Sequence, residues 1–291
     1  MRTIAVLNQK GGVGKTTTVA NVAAALSLTG VRTLVIDLDP QAHLTIHLGA
    51  DSETDAPGVY DVLTGAADIG SAAVPVRDNL WVLGASINLV GAESELVNEV
   101  GREIILRKAL DPIRGRYDYV LIDCPPSLGL LTLNALAAVT EVLIPVQPHF
   151  LALQGFSRLL QTIALVQSRI NPALQVTAIV MCMFDSRTSL SSEVREDIDK
   201  FLRSARDSDT PWSKATIVPV HIRRNIKLAE APSYGKTIFE YEPTCNGAID
   251  YMAMADWLLT GTLEQPHSLS AHADHAPPET PPHTETEEHK G

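Results

Sequence analysis

The residues with the most evident chemistry lie near the start of the chain, in Asn8-Gln9-Lys10-Gly11-Gly12-Val13-Gly14-Lys15-Thr16-Thr17. Glycine tolerates left-handed turns, so Gly11, Gly12 and Gly14 let consecutive backbone N–H groups point inward at an anion. Lys15 supplies a cation for the outer phosphates of a nucleotide, and the Thr16 hydroxyl supplies a ligand for Mg2+. The backbone from Gly11 through Val13 to Thr17 forms the cradle at the head of a helix. The standard pattern G-x-x-x-x-G-K-[ST] needs a glycine where this chain has Gln9, and an additional lysine, Lys10, precedes the glycines. A transferring phosphoryl group spreads negative charge over its equatorial oxygens, so a second preplaced cation makes chemical sense.

Two acidic segments complete the constellation. Asp37-Leu38-Asp39-Pro40-Gln41 closes an apolar run, with Asp39 lying 24 residues beyond Lys15. Asp37 and Asp39 share one side of an extended segment, where a carboxylate near the terminal phosphate can orient an attacking water. Tyr117 to Pro126 is an apolar strand ending in Asp123, which reads as the carboxylate that holds Mg2+ through water. Cys124 adjoins it, but with Ile and Pro around it nothing stabilises a thiolate, and it reads as a buried spacer.

The run Lys10 to Thr16, KGGVGKT, is the deviant Walker A motif of the ParA/MinD superfamily, which the chain resembles from its first strand to about Leu259. The resemblance implies an ATP- and Mg2+-dependent homodimer in which Lys10 crosses the interface to the partner subunit's nucleotide. It makes Lys10, Lys15 and Asp39 the catalytic set, with Asp39 orienting the water. It puts Asp37 near the Mg2+ shell with Thr16 and Asp123, and counts Gln41 among the nucleotide-site residues. Asp185-Ser186-Arg187-Thr188 and the stretch Ile222 to Ser233 resemble two ParA segments that bind DNA non-specifically once the dimer forms. Arg187, Arg223, Arg224 and Lys227 are therefore the candidate DNA contacts. The family usually carries Pro before Arg-Asn, whereas Pro219 is out of register with Arg223-Arg224-Asn225, so the adenine contacts stay unassigned. No aromatic residues interleave the arginines, which favours duplex backbone over stacked single strands.

Short Soj-like ParA ATPases are the nearest resemblance, including those that position protein cargo such as carboxysomes. The implied function is partition or positioning of a cargo on nucleoid DNA, with slow hydrolysis stimulated by a ParB-like or cargo-specific adaptor. The seven residues before Asn8 hold no helix-turn-helix, so sequence-specific operator binding is not expected. A basic amphipathic C-terminal helix is absent, so membrane docking is not expected either. Two other classes stay open: a P-loop enzyme phosphorylating a small carboxylate, and a non-catalytic nucleotide-gated scaffold.

The elements that must position these residues show in the pattern of apolar runs. Thr3–Leu7, Thr33–Ile36, Leu80–Leu83, Tyr119–Ile122, Val142–Val146, Val176–Met181 and Ala215–Val218 read as strands. Amphipathic stretches, Thr17–Leu28, Leu89–Leu110, Leu153–Ile170 and Ser191–Ser204, lie between most of them. This alternation predicts an α/β fold with a mostly parallel twisted sheet covered by helices on both faces. Asp51–Ala73 reads as a surface excursion with a short helix at Val59–Leu63. The expected ATPase domain spans 1–261.

Of 291 residues, 23 are Lys or Arg and 34 Asp or Glu, a net of −11. Residues 262–291 hold six acids and one lysine with two Pro-Pro pairs and five histidines, a composition that predicts a disordered tail. Within the body, Lys214 to Lys236 carries five bases and one acid, a local positive patch that the total conceals. Three separated cysteines fit neither a disulfide framework nor a metal centre. A reduced, cytoplasmic and nucleoid-associated protein is the expectation.

Overall fold

The computed structural model describes residues 1–51, 56–149 and 152–261. The expected tail, 262–291, lies outside the described residues.

Among the described residues nine strands form one sheet: β1 (Arg2–Val6), β2 (Thr33–Asp37), β3 (Val74–Arg77), β4 (Leu80–Leu83), β5 (Tyr119–Asp123), β6 (Glu141–Val146), β7 (Gln175–Phe184), β8 (Thr216–Ile217) and β9 (Ile222–Arg223). Their order is β3-β4-β2-β5-β1-β6-β7-β8, with β9 also pairing β7. β3 runs antiparallel to β4, and the other pairs are parallel. The continuous apolar runs are explained by burial on both faces. Leu34 and Ile36 of β2 and Val120 and Ile122 of β5 face one core with Ala135 and Leu160. Val35 and Leu121 between them face a second core with Val19, Val22 and Met254. Helices Leu130–Ala138 and Ala152–Arg169 cover the first face, and Lys15–Leu28 and Asn246–Thr260 the second.

Three details differ from the sequence pattern. Leu89–Leu110 is not one helical stretch but two helices, Leu89–Glu95 and Ile105–Leu110, with 3-10 turns between them. The break follows from Glu99 turning extended (ψ 131°) and Gly101 turning left-handed (φ 76°), which leaves Val100 98% exposed. β3, which directly follows the Asp51–Ala73 excursion, is not among the expected strands, and its Pro75 is tolerated because β3 is an edge strand. The expected strand Ala215–Val218 contracts to Thr216–Ile217. The short helix expected at Val59–Leu63 is present as Val59–Thr64.

The parallel sheet sets the site. Val6, Asp37 and Asp123 end β1, β2 and β5, and both Val6 and Asp37 register with Asp123. The three loops that follow converge at this edge, where open α/β sheets bind ligands.

Candidate nucleotide site

The loop after β1 is built by its own side chains before any ligand is considered. Asn8 Oδ1 accepts the Lys10 N–H at 3.0 Å, and Asn8 Nδ2 donates to the Pro145 carbonyl at 2.7 Å, anchoring the turn to the end of β6. Gly12 (φ 72°) and Gly14 (φ 94°) are left-handed, conformations a side chain would strain. Gly14 caps the helix that begins at Lys15 without a side-chain bond, leaving the helix-start N–H groups for an anion. Lys15 is buried, with Nζ 3.5 Å from the Lys10 carbonyl.

Behind the loop, the Thr16 hydroxyl donates to Asp123 Oδ2 at 2.7 Å. Burial, reinforced by Asp37, pushes the Asp123 carboxyl well above the usual carboxylate range, while Thr16 and Lys15 oppose the shift. Its second oxygen, Oδ1, is buried without a hydrogen-bond partner. An orphaned carboxylate oxygen beside a threonine hydroxyl suits a hydrated Mg2+, which uses one or two carboxylates and keeps its waters. Asp37 is arranged differently. Oδ1 accepts the Asp39 N–H at 3.1 Å, and Oδ2 accepts Thr45 N–H at 3.0 Å and Thr45 hydroxyl at 2.8 Å. Fully buried, its carboxyl is pushed up to about 6 by desolvation and by Asp39 despite those donors. It shapes the turn bearing Asp39 rather than facing the cleft.

A cleft of about 760 Å3 opens here, lined by Gly11, Gly12, Gly14, Lys15, Thr16, Thr17, Asp39 and Gln41 on one side. Asp39 Oδ1 accepts the Gln41 N–H at 3.0 Å. The opposite wall is Met183, Ile222 to Ile226, Leu228 and Ala229. Val13 is buried, and the Lys10 side chain is exposed outside the cleft lining. Cys124 is fully buried with its thiol raised by desolvation, as expected of a spacer.

The four basic candidates divide. Arg223 pairs with buried Asp250, its Nη2 2.6 Å from Oδ1 and its N–H donating to Oδ2 at 2.9 Å. Lys227 pairs with Glu230 at 2.9 Å. The Arg187 side chain is 87% exposed although it pairs with Asp185. Arg224 is exposed, raises no ion pair of its own with Asp250, and with Arg187 helps hold the Asp185 carboxyl down at about 2. Both Arg223 and Arg224 also line the cleft.

The sequence assigned part of the far wall, Ile222 to Ile226, to DNA contact and left its nucleotide-facing residues unassigned. Asn225 accepts the Lys227 N–H at 2.9 Å and so caps helix Ile226–Glu230, a role its position before an apolar run could have signalled. Met183, left-handed at φ 52°, has no such signal.

A family model described as an AAA domain matches residues 1–176. The chain is 45% identical over 253 residues to the sporulation initiation inhibitor protein Soj of Bacillus subtilis (strain 168), covering 87% of this chain and 96% of that protein. It is 42% identical to the chromosome partitioning protein ParA of Myxococcus xanthus, covering 89% and 88% respectively. Among solved structures, one called cobyrinic acid a,c-diamide synthase, from Mycobacterium smegmatis with bound ADP and magnesium, is 38% identical with a TM-score of 0.75, covering 92% and 99%. The apo McdA of Cyanothece has a TM-score of 0.76 at 20% identity, covering 89% and 99%, a likeness of fold alone. Among the described residues no helix is long and apolar enough to cross a membrane.

Proposed function

The chain belongs to the Soj/ParA family of P-loop ATPases, and from that membership we propose that it is a partition or positioning ATPase worked by an ATP-sandwich dimer. ATP and Mg2+ bind between two subunits, the dimer holds nucleoid DNA without sequence preference, and adaptor-stimulated hydrolysis releases it, moving a chromosomal, plasmid or protein cargo. The observation that carries this reading is the convergence of Lys15, Thr16 and Asp39 on one cleft, with the partnerless Asp123 oxygen behind Thr16.

Each residue has a task that follows from its position. The N–H groups from Gly11 to Thr17 and Lys15 would hold the phosphates, and Thr16 and Asp123 would hold Mg2+, which would supply neutralisation of phosphate charge. Asp37 fixes the turn through Thr45 and the Asp39 N–H, and Asp39 orients the attacking water. Lys10, exposed on a loop pinned by Asn8, completes the partner subunit's site. A site finished only in trans is slow in the monomer, which makes dimerisation the switch.

The test is Asp39→Ala. The variant is expected to keep ATP-dependent dimers and DNA binding while hydrolysis falls by about 100-fold, the scale of losing a positioned base. Normal turnover would remove Asp39 from the mechanism. Loss of nucleotide binding and dimers in Lys15→Ala completes the test, since ATP-dependent dimers there would defeat the loop assignment. A second reading, an ATP-dependent enzyme acting on a small carboxylate, is favoured by the name of the 38%-identical Mycobacterium smegmatis chain. It requires turnover that depends on a small molecule and ignores DNA.

A further inference from the structure

We propose that Arg77, which lies outside the cleft lining, is a positioning residue whose guanidinium clasps the far ends of the two segments that wall the cleft, so that a base bound at one wall is felt at Asp39 on the other. The proposal rests on the nucleotide reading above and names how that site tells a nucleotide from a bare phosphate chain.

The first wall is one hydrogen-bonded piece. Asp37 ties the Asp39 N–H to Thr45 in helix His43–His47, and that helix ends at Leu48 and Gly49. The second wall is equally continuous. From Asn225 at the cleft it runs through helix Ile226–Glu230 to Gly235 and to Glu240, which caps Thr237 by accepting its N–H at 2.8 Å.

Arg77, on the edge strand β3, joins the two. Its Nη1 donates to the Leu48 carbonyl at 2.8 Å, its Nη2 to the Gly235 carbonyl at 3.0 Å, and its Nε to Glu240 Oε1 at 2.8 Å. The planar fork satisfies both walls at once, which a lysine cannot do. Two further contacts press the same seam. Gly49 (φ 73°) and Gly235 (φ 62°) lie back to back, where a Cβ on Gly235 would stand 3.0 Å from the Gly49 Cα. His47, buried to 1% exposure in helix His43–His47, lies near enough to the Lys236 backbone and Arg77 for both to act on its imidazole. A seam this tight moves as a unit, so displacement of the Asn225 wall by a base carries to the Asp39 turn.

The experiment compares ATP with inorganic tripolyphosphate, which has the phosphates but no base. In the wild type, ATP is expected to slow amide exchange across Gln41–Gly49 about tenfold more than tripolyphosphate does, a usual size of coupling between sites. ATP hydrolysis should exceed tripolyphosphate hydrolysis by a similar factor. In Arg77→Gln both differences collapse, kcat for ATP falls, KM moves little, and tripolyphosphate hydrolysis is unchanged; a general loss of packing would instead lower both activities. Glu240→Gln keeps the cap on Thr237 but weakens the clasp, and serves if Arg77→Gln does not fold. Retention of the ATP-specific protection in folded variants that still bind ATP would overturn the proposal. The exchange readout needs binding alone, so a wild type that binds ATP without hydrolysing it would sink the ATPase reading and leave the clasp to be judged on exchange.

Discussion

Asp123 and His47 are both buried polar residues with an atom lacking a hydrogen-bond partner, and chemistry separates them. Asp123 stood out in the sequence only because the phosphate loop and the Asp37–Asp39 segment precede it in order, since an acid ending a strand is by itself more often a turn residue. His47 did not stand out, since a histidine in a short helix carries no mark of burial. Desolvation, reinforced by Arg77, lowers its imidazole from 6.5 to about 4, so the fold favours the neutral ring. Its contribution to stability is complete above pH 6.5 and is lost as pH falls from 6.5 through 4, by up to about 3 kcal/mol. His47→Gln does not titrate, and urea unfolding at pH 7 and pH 4.5 should show a smaller acid loss in the variant. Asp37, raised to about 6, works in the opposite direction, gaining stability on acidification, but it does so in both proteins and cancels from the comparison.

At the scale of elements, close backbone approach decides what can be exchanged. Gly58 precedes helix Val59–Thr64, where the Val59 N–H donates to the Gly84 carbonyl at 2.8 Å. A Cβ on Gly58 would also meet that carbonyl at 2.8 Å. Gly58→Ala is therefore expected to cost about 1–3 kcal/mol by overpacking, read as a lowered thermal midpoint with the far-UV spectrum retained. The strands of this sheet were visible as apolar runs because parallel strands must be apolar on both faces. β3 escaped notice since an antiparallel edge of four residues with a proline obeys no such demand. Leu89–Leu110 misled for the opposite reason: its apolar spacing survives across two helices, while the break depends on how Gly101 turns.

Across the whole molecule, charge is arranged by pairing as much as by position. The +4 segment between Lys214 and Lys236 looked like one surface, but Arg223 is spent on Asp250, 27 residues away and brought near only by the docking of helix Asn246–Thr260. No spacing rule reveals such a partner. On the proposed reading, DNA contacts would therefore fall chiefly to Arg187 and Arg224, and reversing Arg223 would instead break its pair with buried Asp250. Arg187→Glu is expected to weaken duplex binding uniformly across sequences. Two lost contacts per dimer reduce the slope of log affinity against log salt by roughly 2, measured by titration from low to moderate salt with ATP-driven dimerisation as control. An unchanged slope would remove Arg187 from the surface.

The same helix has a practical side. Near its start, Asp250 holds Arg223 at the cleft, and near its end the Leu258 carbonyl accepts from Arg2 and from the Tyr119 hydroxyl, at the opening residues of β1 and β5. It thus runs the depth of the sheet, and Gly261 lies at the end opposite the candidate nucleotide site. A fluorophore or affinity handle joined there would stand clear of the catalytic loops, leaving the engine free to be watched while it turns over.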